Sequence, residues 1–219
     1  MAYSDRRTFL SQSIKYGCLA QLAGTASFLA AEGPATQSDP LLRMKWMNEP
    51  PSFHLEGGKL TVHSTPKADF YRLPDWIIDD GNFFHLTVAG DFTFEARING
   101  RFVSRYDQAG FMVRHDAENW MKGGIEFIDG VRYASTVVTR GFSDWATMKD
   151  LTQTDPVWWR IVRRKESIEA LCSLDGKTFQ SVRQAYFPAQ PSLEVGLLCA
   201  STEGQGVEAY FDSVKLSVG

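Results

Sequence analysis

Three cysteines in 219 residues, Cys18, Cys172 and Cys199, are too few and too scattered for a CxxC metal or redox site. Basic charge is not in excess. The 23 Lys and Arg stand against 26 Asp and Glu, for a net charge of -3, which argues against the basic stripe of a nucleic-acid binder. The histidines His54, His63, His85 and His115 are isolated, so no HExxH or clustered ligand set is present. A G-x-S-x-G elbow is also missing, which removes the usual serine-hydrolase signature. Gly57-Gly58 reads as a hairpin turn and Gly123-Gly124 lies mid-strand, so neither is a phosphate loop.

Bulky side chains are what the chain does have. Fifteen Phe, seven Tyr and six Trp can fill a sizeable core without a disulfide scaffold. With 43% hydrophobic and 22% charged residues, the composition is that of a globular protein rather than a disordered one.

Residues 1–31 read as a targeting segment. Ser4-Asp5-Arg6-Arg7-Thr8-Phe9-Leu10 sets two arginines before an aromatic–aliphatic pair, and a mildly apolar stretch from Ile14 to Ala31 ends in small residues. The order resembles a bacterial twin-arginine signal, with Asp5 intruding before the arginines and Ser11 in place of lysine. A short amphipathic helix is the alternative, opposed by Gly17 and Gly24. Gln12, Lys15 and Gln21 break the run that a membrane anchor needs. Cys18 has no apolar run before it, which argues against a lipid anchor. The expectation is an exported protein, periplasmic or extracellular, with no membrane span once the signal is removed. Residues 32–44, carrying Gly33, Pro34, Ser38 and Pro40, read as a flexible linker, and residues 45–219 as the single domain.

From Trp46 onward the chain alternates apolar and polar residues between turn signals, with no helical periodicity. Phe53-His54-Leu55 and Lys59 to His63 flank Gly57-Gly58. In Asp91 to Ile98, Phe92, Phe94, Ala96 and Ile98 share a face. Further strands are expected at Gln108–Arg114, Trp120–Ile128, Val131–Thr139, Trp158–Arg164, Glu169–Leu174, Thr178–Arg183, Leu193–Cys199 and Val207–Val218. Ten or more short strands at this spacing predict an all-β fold, a two-sheet antiparallel sandwich or jelly roll. Cys172 and Cys199 share strand parity with apolar neighbours and read as core residues, with a cross-strand disulfide as the alternative.

Two adjacent strands carry the chemistry. Ala109, Phe111 and Val113 form one face of the first, and Gln108, Gly110, Met112 and Arg114 the other. In the second, Met121, Gly123, Ile125 and Phe127 oppose Trp120, Lys122, Gly124 and Glu126. A hairpin pairing gathers Gln108, Arg114, Trp120, Lys122 and Glu126 on one surface, with glycines lowering its floor. A Trp platform among polar forks suits a sugar, with Tyr71, Arg72 and Trp145 as candidate rim residues in segments read as loops. An ion-paired, solvated sheet face is the alternative.

Several motifs in order resemble the regulation-of-enolase family, a domain of unknown function in the concanavalin A-like lectin/glucanase superfamily. They are Trp46-Met47-Asn48-Glu49-Pro50-Pro51, Asp69-Phe70-Tyr71-Arg72, Tyr106-Asp107-Gln108-Ala109-Gly110, Asn119 to Phe127 and Ser143-Asp144-Trp145, and the likeness spans residues 44–218. The resemblance implies a jelly roll whose concave sheet is the ligand surface. Gln108-Ala109-Gly110 with Trp120 to Glu126 is also similar to the accessory sandwich domain of β-xylosidases, where that face adjoins the sugar site. The E-x-D-x-E run typical of the superfamily's glucanases is missing. Glu126 and Asp129 are three apart and point to opposite faces, so a catalytic partner for Glu126 has to come from Asp69, Asp107 or Asp144. Asp212, in Phe211-Asp212-Ser213-Val214, resembles the superfamily's final-strand calcium aspartate and is the one candidate for a structural cation; no other cofactor is expected.

The sequence therefore predicts an exported, non-catalytic carbohydrate-binding domain, its ligand a glycan or other small polar molecule. The alternatives are a glycoside hydrolase or lyase using Glu126 as acid or base, and a module that binds a protein partner.

Overall fold

The computed structural model describes residues 39–148 and 156–219. The twin-arginine-like segment lies outside the described residues. Two seven-stranded antiparallel sheets form a sandwich. The first runs, in spatial order, β1 (Lys45–Met47), β6 (Asn82–Ala89), β15 (Ser192–Ser201), β8 (Asp107–Arg114), β9 (Asn119–Ile128), β10 (Val131–Arg140) and β11 (Phe142–Met148). The second runs β14 (Gln180–Tyr186), β13 (Ser167–Ser173), β12 (Val157–Arg164), β7 (Phe92–Arg101), β16 (Glu208–Val218), β3 (Lys59–His63) and β2 (Ser52–Glu56). A separate hairpin, β4 (Phe70–Leu73) with β5 (Trp76–Asp79), completes the set.

Alternation fixes which face of each strand enters the core, because successive side chains point to opposite sides of a sheet. Phe92, Phe94, Ala96 and Ile98 meet Ala109, Phe111, Val113, Met121 and Ile125 between the sheets, with Trp159 and Ile161 beside them. Ring contacts such as Phe111 on Trp159, 5.7 Å between centroids, fill the layer. Cys172 and Cys199 belong to this core as free thiols and do not pair. Asp129 and Gly130, at φ 50° and 85°, make the tight turn that holds β9 and β10 in register from Ile128 opposite Val131 to Asn119 opposite Arg140.

Three expectations need correction. Pro40–Arg43 is not loose linker but a 3-10 turn, capped by the Asp39 carboxylate, with Leu41 buried in the main core. An apolar side chain removed from water is what ties this segment to the sandwich. The segments holding Tyr71, Arg72 and Trp145 are strands rather than loops. The face of the first sheet expected to be an open ligand floor is covered around Trp120: Phe70 of β4 packs with Phe83, Met112, Trp120, Val137 and Leu198 in a second apolar cluster.

Candidate functional site

Beside that second cluster the covered face opens into a recess, and two glycines make it. Gly110 of β8 stands directly opposite Gly124 of β9. A Cβ on Gly110 would lie 2.0 Å from the Gly123 carbonyl oxygen, and one on Gly124 would lie 2.4 Å from the Gly110 Cα. Neither position tolerates a side chain, so the sheet is bare there. The result is a cavity of about 10 Å³ lined by Gln108, Lys122, Glu126 and Ser135, with Val137 and Leu198 on its apolar side. That is room for one water-sized group.

Glu126 is 6% exposed. Its Oε2 accepts a hydrogen bond from Trp145 Nε1 at 2.9 Å, and the same indole N–H lies 3.0 Å from Ser135 Oγ. Burial pushes the Glu126 carboxyl above its ordinary range, and the charge of Asp69 adds to the rise. Ser135, Lys122 and Trp145 pull the other way. Asp69, at the foot of the hairpin, holds the Lys122 and Gln108 side chains that line the recess. It is ion-paired with Lys122 Nζ and accepts from Phe70 N at 2.7 Å and Thr202 Oγ1 at 2.9 Å. Gln108 Nε2 reaches the same carboxylate at 3.5 Å.

Aromatic rings lie next to the Glu126 carboxyl. Trp145 is 42% exposed and meets Tyr106 edge to face, 6.2 Å between centroids at 82°. Tyr71 is half-buried, and its hydroxyl is pushed upward by burial and then by the charges of Asp69, Glu126 and Asp144. Three negative charges thus act on one phenol.

Of the predicted site residues, Gln108, Lys122, Glu126, Tyr71 and Trp145 are brought together. Arg114, Arg72 and Trp120 are not; they hold the cover. Arg114 makes a bidentate pair with Asp79 of β5 at 2.7 and 2.8 Å. Arg72 donates to the Gly141 carbonyl at 3.0 Å and to Glu118 at 2.8 Å, and its amide donates to Ser143 Oγ. Trp120 is 0% exposed and is no stacking platform. Its parity was read correctly, but leaving so large an apolar ring in water is costly, and Phe70 seals it.

Among the candidate partner carboxylates, Asp107 is committed to the Val103 and Ser104 amides and the Ser201 hydroxyl, and Asp144 pairs with Arg183. Asp69 alone of the three lines up beside Glu126. Ser135 and Thr202 were missed, since nothing marks one hydroxyl among many in a β-rich sequence. Asp212, the candidate calcium ligand, forms a bidentate pair with Arg97, both contacts at 2.8 Å. Among the described residues no cluster of His, Cys, Asp or Glu is arranged to hold a metal ion.

Comparison with known proteins agrees with this architecture. A family model described as "Protein of unknown function (DUF1349)" matches residues 46–218. The chain is 36% identical over 174 residues to Regulation of enolase protein 1 of Saccharomyces cerevisiae, covering 78% of this chain and 88% of that protein. The crystal structure of a functionally unknown protein from the same yeast superposes with a TM-score of 0.78 at 35% identity, over 82% of this chain and 98% of the other. The GH43 protein BlXynB of Bacillus licheniformis shares the fold, with a TM-score of 0.65 at 15% identity over 83% of this chain and 39% of that one.

Proposed function

The chain belongs to the family described as "Protein of unknown function (DUF1349)", and from that premise we propose that the recess and its aromatic rim bind carbohydrate without turning it over. One observation carries the reading: a recess the size of one hydroxyl, lined by Gln108, Lys122, Glu126 and Ser135, adjoins Trp145, whose indole donates to Glu126 and whose ring meets Tyr106. Sugars present that combination, a C–H face for an aromatic ring and hydroxyls for polar forks. A hydroxyl entering the recess meets the Glu126 carboxyl as acceptor or, when protonated, as donor. The GH43 protein BlXynB, which has the same fold, is consistent with such a ligand. The reading also has the sandwich exported through residues 1–31; cell fractionation checks this, with Arg6→Lys/Arg7→Lys expected to retain the protein inside.

A glycan array probed with the full chain tests binding. Selective binding that Trp145→Ala and Glu126→Gln both weaken supports the proposal. Retention of the same glycans by both variants, with folding intact, overturns it. Trp120→Ala is not a useful control, because it removes a core residue.

A second reading follows from the carboxyls. Burial keeps Glu126 protonated to higher pH while the Asp69 carboxylate is held by Lys122, and such a pair can divide acid and base roles. On this reading the chain is a glycoside hydrolase with Glu126 as acid. Release of reducing sugar from an array-positive glycan, abolished in Glu126→Gln, establishes it.

A further inference from the structure

The recess has a size and a charge, and together they select among sugars. Its volume of about 10 Å³ admits one water-sized group and excludes an acetamido or a carboxylate substituent. A hydroxyl and a primary ammonium both fit. The charges then decide. Lys122 is committed to Asp69, and Arg183, beyond the rim, is committed to Asp144. The Glu126 carboxyl is hydrogen-bonded to the Ser135 hydroxyl and the Trp145 indole, both neutral, while Lys122, whose charge also favours its ionised form, makes its ion pair with Asp69. An ionised Glu126 is therefore a buried negative charge without a cation in contact, an expensive arrangement that an entering cation relieves. The rim adds to the preference. Trp145 donates to Glu126 and its ring meets that of Tyr106, so aromatic surface lies beside the carboxyl, and the charges of Asp69, Glu126 and Asp144 make the neighbourhood of Tyr71 negative.

We infer that the recess is built for a primary ammonium group beside Glu126, so that the sugar it takes is a free amino sugar rather than its N-acetylated or plain hydroxyl counterpart. The inference rests on the carbohydrate reading above and names its ligand class. Because the incoming cation favours the ionised carboxyl, binding near the pH where Glu126 titrates releases a proton.

Isothermal titration of the full chain with glucosamine tetramer, N-acetylglucosamine tetramer and cellotetraose, at several pH values from 4 to 8 and in two buffers of different ionisation enthalpy, tests it. The expected result is binding of the glucosamine tetramer at least tenfold tighter than cellotetraose, no binding of the acetylated tetramer, and proton release. Glu126→Gln, with an unchanged circular dichroism spectrum, is expected to erase the preference and the proton release. Trp145→Ser weakens all ligands alike. Equal affinity for the glucosamine tetramer and cellotetraose, or tighter binding of the acetylated tetramer, overturns the inference while leaving the carbohydrate reading intact. Failure of all three to bind also overturns it, and the glycan array then decides whether the carbohydrate reading survives. A preference for glucosamine that persists in Glu126→Gln overturns the assignment to this carboxyl.

Discussion

The ring of Phe70 stands edge-on to the ring of Trp120, 6.3 Å between centroids at 64°, and this contact turns a bare sheet face into a covered one. Phe70 belongs to the β4–β5 hairpin and Trp120 to β9, so the pair fastens the cover to the sheet. Trp120→Ala is expected to lose about 3–5 kcal/mol, the range for deleting a buried aromatic ring. Urea unfolding followed by circular dichroism measures it. A loss below about 1 kcal/mol would mean that the ring is not buried as described.

The Gly110–Gly124 pair makes the recess by excluding side chains. Gly110→Ala puts a methyl against the Gly123 carbonyl oxygen, which neighbouring backbone cannot yield cheaply. The variant is expected to cost at least about 1–3 kcal/mol, as overpacking does, and to lose ligand binding. Full stability with unaltered binding contradicts the assignment of the recess to this pair.

Lys122 and Asp69 are both buried and paired with each other. Lys122→Met strands the carboxylate and is expected to cost about 3–5 kcal/mol. Asp69→Asn strands the ammonium at a similar cost. The double variant should cost much less than the sum of the two, since no charge is left unpaired. Additive losses in a double-mutant cycle would show that the two side chains do not interact.

Glu126 sets a pH dependence. Its folded value is raised above the ordinary 4.5, chiefly by burial. A raised carboxyl contributes stability that is fully present below its unfolded value and is lost as pH rises through the folded one. Glu126→Gln keeps the uncharged shape at every pH. The variant is therefore expected to gain stability over the wild type as pH rises from 4 towards 8, and to match it at the acid end. Thermal melts across that range check this, and a gap that does not change with pH contradicts the raised carboxyl.

Strand parity made much of this legible in sequence. Ala109, Phe111, Val113, Met121 and Ile125 face the core as their alternation requires, and Gln108, Lys122 and Glu126 share the opposite face. Alternation assigns a face but not what lies on it. The four-residue strands around Leu73-Pro74-Asp75-Trp76 are too short to show a period, so the segment of Tyr71 and Arg72 reads as a loop in sequence although it belongs to the hairpin that buries Trp120. Arg72 and Arg114 then looked like ligand contacts, because a lone arginine does not reveal that its partner is Glu118 or Asp79. Asp69 was visible as a candidate carboxylate, but its pairing with Lys122 joins residues far apart in the chain and follows only from the fold.

The Trp145 indole N–H, which donates to Glu126 at the recess, gives the most direct test. In a 15N–1H correlation spectrum titrated with the strongest array ligand, its resonance should move progressively with ligand. The Trp120 indole, buried and donating to the Ala117 carbonyl, should stay nearly still. Saturable binding that leaves the Trp145 resonance unmoved would place the ligand elsewhere and contradict the account.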